Sequence, residues 1–267
     1  MAKLPRAEKK ALRVAKRGVV AFDVDGTIAD TAYECYIQSM ATWPDVGGKL
    51  KPSPQVEKQF LEARPLITKR EHFFTVLRMI EENPSINFNN VTQAQMNEGF
   101  IRDSYKAKVF SERYMTHREA MIKKDPVRWA RLNRSFPKVA RAIKQARKYA
   151  DIYIATTKDR KSTLELLARY GIAIPPEKVL AVDFSKDKRE QLREISKRSG
   201  VPLGRIVLVE DAIEQVKAAR EVGAKAMLYR RGYSTLGQKK EAQRMRVPIV
   251  DWTKKRDMRR IKRMTRK

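Results

Sequence analysis

Two carboxylates stand two residues apart in Asp23-Val24-Asp25-Gly26-Thr27, where an apolar run over residues 18–24 gives way to a glycine turn and both can face one pocket. Such a pair divides labour. One ionised carboxylate attacks or binds metal, while the other, held at a higher pKa, donates and removes a proton. Further along, Ile152-Tyr153-Ile154-Ala155-Thr156-Thr157-Lys158 is a second run that ends in hydroxyls suited to a phosphate oxygen. Lys188, in Lys186-Asp187-Lys188 ahead of a helix with Leu192 and Ile195, offers a cation for developing negative charge. A third run, Ile206-Val207-Leu208-Val209, delivers two more carboxylates, Glu210 and Asp211. Hard oxygen ligands from separate strand ends are what Mg²⁺ accepts, with water and substrate phosphate in its remaining positions.

These groups need a scaffold that brings strand ends together. Residues 18–24, 152–155, 179–182, 206–209 and 224–229 are short β-branched runs with helical periodicity between the later ones. That alternation predicts an α/β fold: a Rossmann-like parallel sheet with crossover helices, whose sites form at the carboxyl ends of the strands. Between residues 31 and 135 the pattern is helical, with stretches over 71–82 and 93–122 separated by breakers such as Pro52-Ser53-Pro54 and Asn83-Pro84. The domain reading is a basic amino-terminal arm (1–17), a core (18–30 and 136–251), an inserted α-helical domain (31–135) and a basic carboxyl-terminal tail (252–267). In the tail, Met258, Ile261 and Met264 recur at helical spacing, so it forms a thin amphipathic helix when something supports it. Residues 137–150 carry an apolar stripe of Val139, Ile143, Ala146 and Ala150, and the opposite face has five cations and no acid.

With these four ordered motifs, the chain resembles the haloacid dehalogenase superfamily of hydrolases over residues 19–32 and about 136–229. The resemblance implies that Asp23 is the nucleophile that becomes an aspartyl-phosphate and Asp25 the general acid and base. It implies that Thr156 binds the phosphoryl group and Lys188 neutralises nucleophile and phosphate. Asp211, with Glu210 assisting, would hold Mg²⁺ together with Asp23 and the backbone carbonyl of Asp25. Thr157 is the alternative to Thr156, and Lys186 the alternative to Lys188. Asp25 points away from dehalogenation, which needs no acid two positions after the nucleophile, and toward phosphomonoester hydrolysis. The insertion looks like the helical cap of the phosphoglycolate-phosphatase-like branch, which closes over a small phosphorylated substrate. Two positions depart from the family pattern: Glu210 precedes Asp211 where Gly or Asp is common, and Gln215 stands where many members have a second Asp.

Composition sets the remaining bounds. The 267 residues carry 59 Lys and Arg against 31 Asp and Glu, a formal net charge of +28, and a single cysteine excludes a disulfide scaffold. Nothing spans a bilayer, no secretory signal is evident, and a reducing compartment, the cytoplasm, is expected. The charge exceeds what a small phosphorylated substrate needs. It clusters at the two termini and on the acid-free face, which makes RNA, DNA or the ribosome the alternative partners, with no membrane. Tyr105, Tyr114, Trp129 and Phe136 lie among basic residues, but their helical spacing reads as core packing and not as base stacking.

Overall fold

The computed structural model describes residues 17–266, so all of the amino-terminal arm except Arg17 lies outside the described residues. The chain divides into two compact units: one holds the described residues up to Asp30 and those from Ser135 onward, the other Thr31–Arg134.

The first unit opens with β1 (Gly18–Phe22), followed after a tight turn by the two-residue β2 (Ala29–Asp30). The second unit is helical: α1 (Ala32–Thr42), α2 (Pro54–Glu62), α3 (His72–Glu82), α4 (Gln93–Arg102), α5 (Ser104–Lys124) and α6 (Pro126–Leu132). The stretch expected as one helix over 93–122 is two, broken at Asp103, which leaves helical geometry at φ −114°, ψ 27°. Asp competes for local backbone bonds and favours helix ends over interiors. This unit has its own core of aromatic rings, with Trp43, Phe60, Phe74, Phe110 and Tyr114 packed together. Of the four aromatics read as core, Tyr114 and Trp129 are buried and Phe136 is half-buried, whereas Tyr105 is exposed.

The two-residue β3 (Arg134–Ser135) straddles the boundary, and the first unit continues with α7 (Val139–Ala146), β4 (Ala150–Ala155), α8 (Arg160–Arg169), β5 (Val179–Leu180), α9 (Lys188–Ser199), β6 (Ile206–Glu210), α10 (Ile213–Glu221), β7 (Lys225–Tyr229), α11 (Leu236–Arg244), β8 (Ile249–Val250) and α12 (Lys255–Met264). Six strands form one sheet in the order β5-β4-β1-β6-β7-β8, and every neighbouring pair is parallel. Strand β1 is covered on both faces, which explains its unbroken apolar run. Val20 and Phe22 join one core cluster and Val19 and Ala21 the other, the alternation a strand imposes.

The segment expected as a basic tail, 252–267, is not a tail through its described residues. Trp252, Met258 and Ile261 are buried in the same cluster as Val139, Ile143 and Ala146 of α7, and the Trp252 ring stacks on Tyr229 at 4.8 Å. The apolar stripe of α12 is thin, but α7 and the sheet supply the support it needs. No helix among the described residues is long and apolar enough to cross a membrane.

Candidate active site

With β1 at the centre of the sheet, β4 on one side and β6 on the other, three carboxyl ends lie side by side. The strand order reverses direction there, the place where open α/β sheets leave a crevice. Asp23 follows directly on β1 and stays tied to the sheet, its amide donating to Val209 O at 3.0 Å. The chain then turns sharply, with the amides of Ile28 and Ala29 both donating to Val24 O at 2.9 Å. Gly26 sits at φ +76°, and a Cβ there would lie 2.1 Å from Asp211 Oδ2, so the turn requires glycine twice over.

Lys188 is the first residue of α9, whose cap is Asp187, its side chain accepting from Arg189 N at 2.8 Å. The buried ammonium of Lys188 donates to Ala155 O at 2.6 Å and to Asp23 Oδ1 at 3.0 Å, and it stands 3.1 Å from Glu210 Oε2. One cation therefore gathers the ends of β4, β1 and β6. Glu210 Oε1 accepts from the amides of Asp211 at 2.9 Å and Ala212 at 3.3 Å, so both of its oxygens are engaged by the protein. Asp211 Oδ2 accepts from Tyr233 N at 2.7 Å, and the Tyr233 hydroxyl donates to Asp30 Oδ1 at 2.9 Å.

Thr156 is buried at the end of β4. Its amide donates to Leu180 O at 2.9 Å, and its hydroxyl oxygen accepts from Lys158 N at 3.2 Å. The alternatives Thr157 and Lys186 are both exposed. Asp25, part-buried, meets Lys158 Nζ at 3.2 Å. Lys158 closes the second motif, yet nothing in its spacing assigned it a partner. Gly232 was likewise invisible in sequence: a Cβ there would lie 2.2 Å from Asp211 Cβ and 2.4 Å from Gly26 O.

The electrostatics of this cluster follow first from burial and then from the charges around it. Burial pushes the Asp23 carboxyl up to about 8, with Glu210 and Asp25 adding to the shift and Lys188 opposing it. Burial likewise pushes Glu210 up to about 7, Lys188 opposing and Asp211 adding. For Lys188, burial disfavours the charge, but Asp23 and Glu210 more than offset it and hold the ammonium above its ordinary value.

A family model for haloacid dehalogenase-like hydrolases matches residues 18–223, most of the chain and all four motif regions. The chain belongs to the haloacid dehalogenase-like hydrolases. Among solved structures, this hydrolase is similar in fold to a predicted phosphatase from Clostridium acetobutylicum, with TM-score 0.61 and 12% identity over 92% of this chain and 98% of that one. A haloacid dehalogenase-like family protein from Streptococcus pneumoniae superposes with TM-score 0.57 at 14% identity, covering 89% of this chain and 96% of that one. A predicted phosphoglycolate phosphatase from Haemophilus somnus gives TM-score 0.58 at 13% identity, covering 89% and 95%. No curated protein matches the chain.

The hydrolase core also fits a divalent cation. Asp23, Glu210 and Asp211 each present a carboxylate oxygen, and these atoms lie within 4.8 Å of one another. All three side chains are buried, and burial first, with neighbouring acids adding and Lys188 opposing, holds Asp23 and Glu210 above the ordinary carboxylate range, a displacement that a bound cation would relieve. Hard carboxylate oxygens suit a hard divalent cation. Among the three, Glu210 is the most committed elsewhere, because two amides and Lys188 hold its oxygens.

Proposed function

We propose that this hydrolase cleaves phosphomonoesters through an aspartyl-phosphate on Asp23. The observation that carries the reading is the division between two acids. Asp23 is buried against Lys188, while Asp25, two residues on, is only part-buried and is held by Lys158 at 3.2 Å. One carboxylate is placed for attack and the other for proton traffic.

In the first half-reaction a carboxylate oxygen of Asp23 attacks phosphorus, and the bond to the leaving alkoxide breaks as Asp25 gives that oxygen its proton. In the second, Asp25 takes a proton from water, the water oxygen attacks phosphorus, and Asp23 leaves as carboxylate with inorganic phosphate released. Lys188 offsets charge on Asp23 and on the transferring group throughout, and the Thr156 hydroxyl binds a phosphoryl oxygen. Asp23 and Asp211, with Glu210 behind them and the Asp25 backbone carbonyl, would hold Mg²⁺, which supplies Lewis-acid neutralisation of the phosphoryl oxygens. The inserted helical unit serves as the cap that selects a small phosphorylated substrate and excludes water.

The test is a panel of phosphomonoesters assayed with and without Mg²⁺, followed by acid trapping of the phosphoenzyme. Asp23→Asn should abolish turnover and the trapped species while keeping the fold. Asp25→Ala should slow both half-reactions by roughly 10²-fold or more, the usual worth of a positioned acid and base. Full activity of Asp23→Asn would end this mechanism.

A further inference from the structure

Helices α7 and α12 are separated by more than a hundred residues, yet they pack as neighbours on one face of the sheet. Their apolar stripes, Val139, Ile143 and Ala146 on one and Met258 and Ile261 on the other, enter a single core cluster. The Tyr149 hydroxyl donates to Met258 O at 3.3 Å, and Lys262 Nζ stands 6.0 Å from the Tyr149 ring. With these stripes turned inward, the remaining sides of both helices face solvent together.

Those solvent sides are strongly cationic. Lys138, Arg141, Lys144, Arg147 and Lys148 are all exposed, and eight further Lys and Arg between 254 and 266 are exposed on and around α12. The two stretches contain one acid, Asp257, which is buried and spends Oδ2 on Asp251 N at 2.9 Å. Among the described residues, Arg256 is the only one of these cations that pairs with a carboxylate, at 3.4 Å to Asp257. Elsewhere on the surface several cations do pair with carboxylates: Arg78 and Arg102 with Glu82, Arg189 with Glu221 and Lys217 with Glu241. Charge left unpaired over two adjacent helices repels itself, so a face of this kind is stabilised by an external polyanion.

We propose that the solvent face of α7 and α12 is a docking surface for the phosphate backbone of a nucleic acid. Three observations select that occupant. Five of the eight cations around α12 are arginines, whose forked guanidinium matches phosphate oxygens. No large hydrophobic side chain is exposed on either helix, so the face has nothing to insert into a lipid layer. The scale also suits a duplex: the ten residues of α12 extend about 15 Å, a length over which duplex DNA presents about nine phosphates. Arg17, itself exposed, donates to Lys148 O at 3.0 Å and adds one more cation at the end of this face.

The experiment titrates a fluorescein-labelled 20-base-pair DNA duplex and a 20-nucleotide RNA with the full chain across a salt series. The variant combines Arg141→Gln, Lys144→Gln, Arg259→Gln, Arg260→Gln and Arg263→Gln, all exposed and remote in sequence from the acidic site. Each phosphate that the variant no longer neutralises should flatten the slope of log affinity against log salt by about 0.7 to 0.9, so affinity near physiological salt should fall at least tenfold. Circular dichroism and hydrolysis of p-nitrophenyl phosphate should be unchanged from wild type. A control with the same charge change on the helical unit, Lys106→Gln, Lys108→Gln, Lys123→Gln, Lys124→Gln and Arg128→Gln, should keep most of the affinity. Three results would each overturn the proposal: no binding of either oligonucleotide by wild type at physiological salt, equal loss in the control, or binding only to vesicles containing phosphatidylserine.

Discussion

The ammonium of Lys188 lies 3.0 Å from Oδ1 of Asp23, with both side chains buried and 165 positions apart in the sequence. It is a structural clamp as well as a chemical group, because the same nitrogen reaches Ala155 O and Glu210.

Lys188→Met should therefore destabilise the fold as well as inactivate it. Above about pH 8, where Asp23 is ionised, removing one member of this buried ion pair leaves the other charge uncompensated, typically at about 3–5 kcal/mol. In urea the midpoint should fall with little change in the slope. Adding Asp23→Asn to Lys188→Met should recover part of the loss, and a double variant no more stable than Lys188→Met alone would show that the pair is not coupled.

The stability of the metal-free protein should depend on pH in a direction set by Asp23. Its carboxyl is raised from 3.8 to about 8 in the fold, so between those values the folded state keeps a proton that the unfolded state has released. Stability is then fully present below about pH 4 as far as this group is concerned, and is lost as pH rises toward 8. Glu210, raised to about 7, acts in the same sense over a narrower window. Urea melts in chelator at pH 5, 6.5 and 8 should show Asp23→Asn gaining on wild type as pH rises. A gap that stays constant would contradict the assignment.

Mg²⁺ should stabilise the wild type and not Asp211→Asn. A ligand that binds only the folded state at a hundred times its dissociation constant contributes about 2.7 kcal/mol, readable as an upward shift in Tm. Gly232→Ala should blunt the same shift without removing any ligand atom, because its new Cβ would meet Asp211 Cβ at 2.2 Å. Thermal melts at increasing Mg²⁺ check both, and an Asp211→Asn variant that shifts as far as wild type would remove Asp211 from the metal site.

Ile261→Ala should cost about 2–5 kcal/mol, the usual range for emptying a buried aliphatic position. Ile261 is fully buried against the α7 face, so its loss is felt as a core defect. Equal denaturation midpoints for Ile261→Ala and wild type would mean that α12 does not belong to the core.

The position of the polar side chains at the strand ends was legible in the residues because it is written locally. Each of Asp23, Thr156 and Glu210-Asp211 follows a short buried run, and a run of that type ends where a polar residue first appears. The helical insertion was legible for the same reason, since breakers and 3.6-residue periodicity are local signals. What failed locally failed at weak signals: Asp103 splits one expected helix in two, and the two-residue β8 carries no run long enough to notice.

By itself, the sequence determined that an α/β sheet presents carboxylates at its carboxyl edge, that Lys188 precedes a helix, and that positive charge is in large excess. Tertiary structure decided which of these groups meet. It placed Lys188 on Asp23, Ala155 O and Glu210, gave Asp25 its partner in Lys158, and pressed Gly232 against Asp211. It also supplied the support that the basic carboxyl-terminal segment needed to become the amphipathic helix α12, by packing its thin stripe on α7 and the sheet. The physical reason is common to all of them. Propensity and periodicity act over a few residues, whereas these contacts join positions far apart in the chain, and their energy exists only once strand order and packing have brought the partners together.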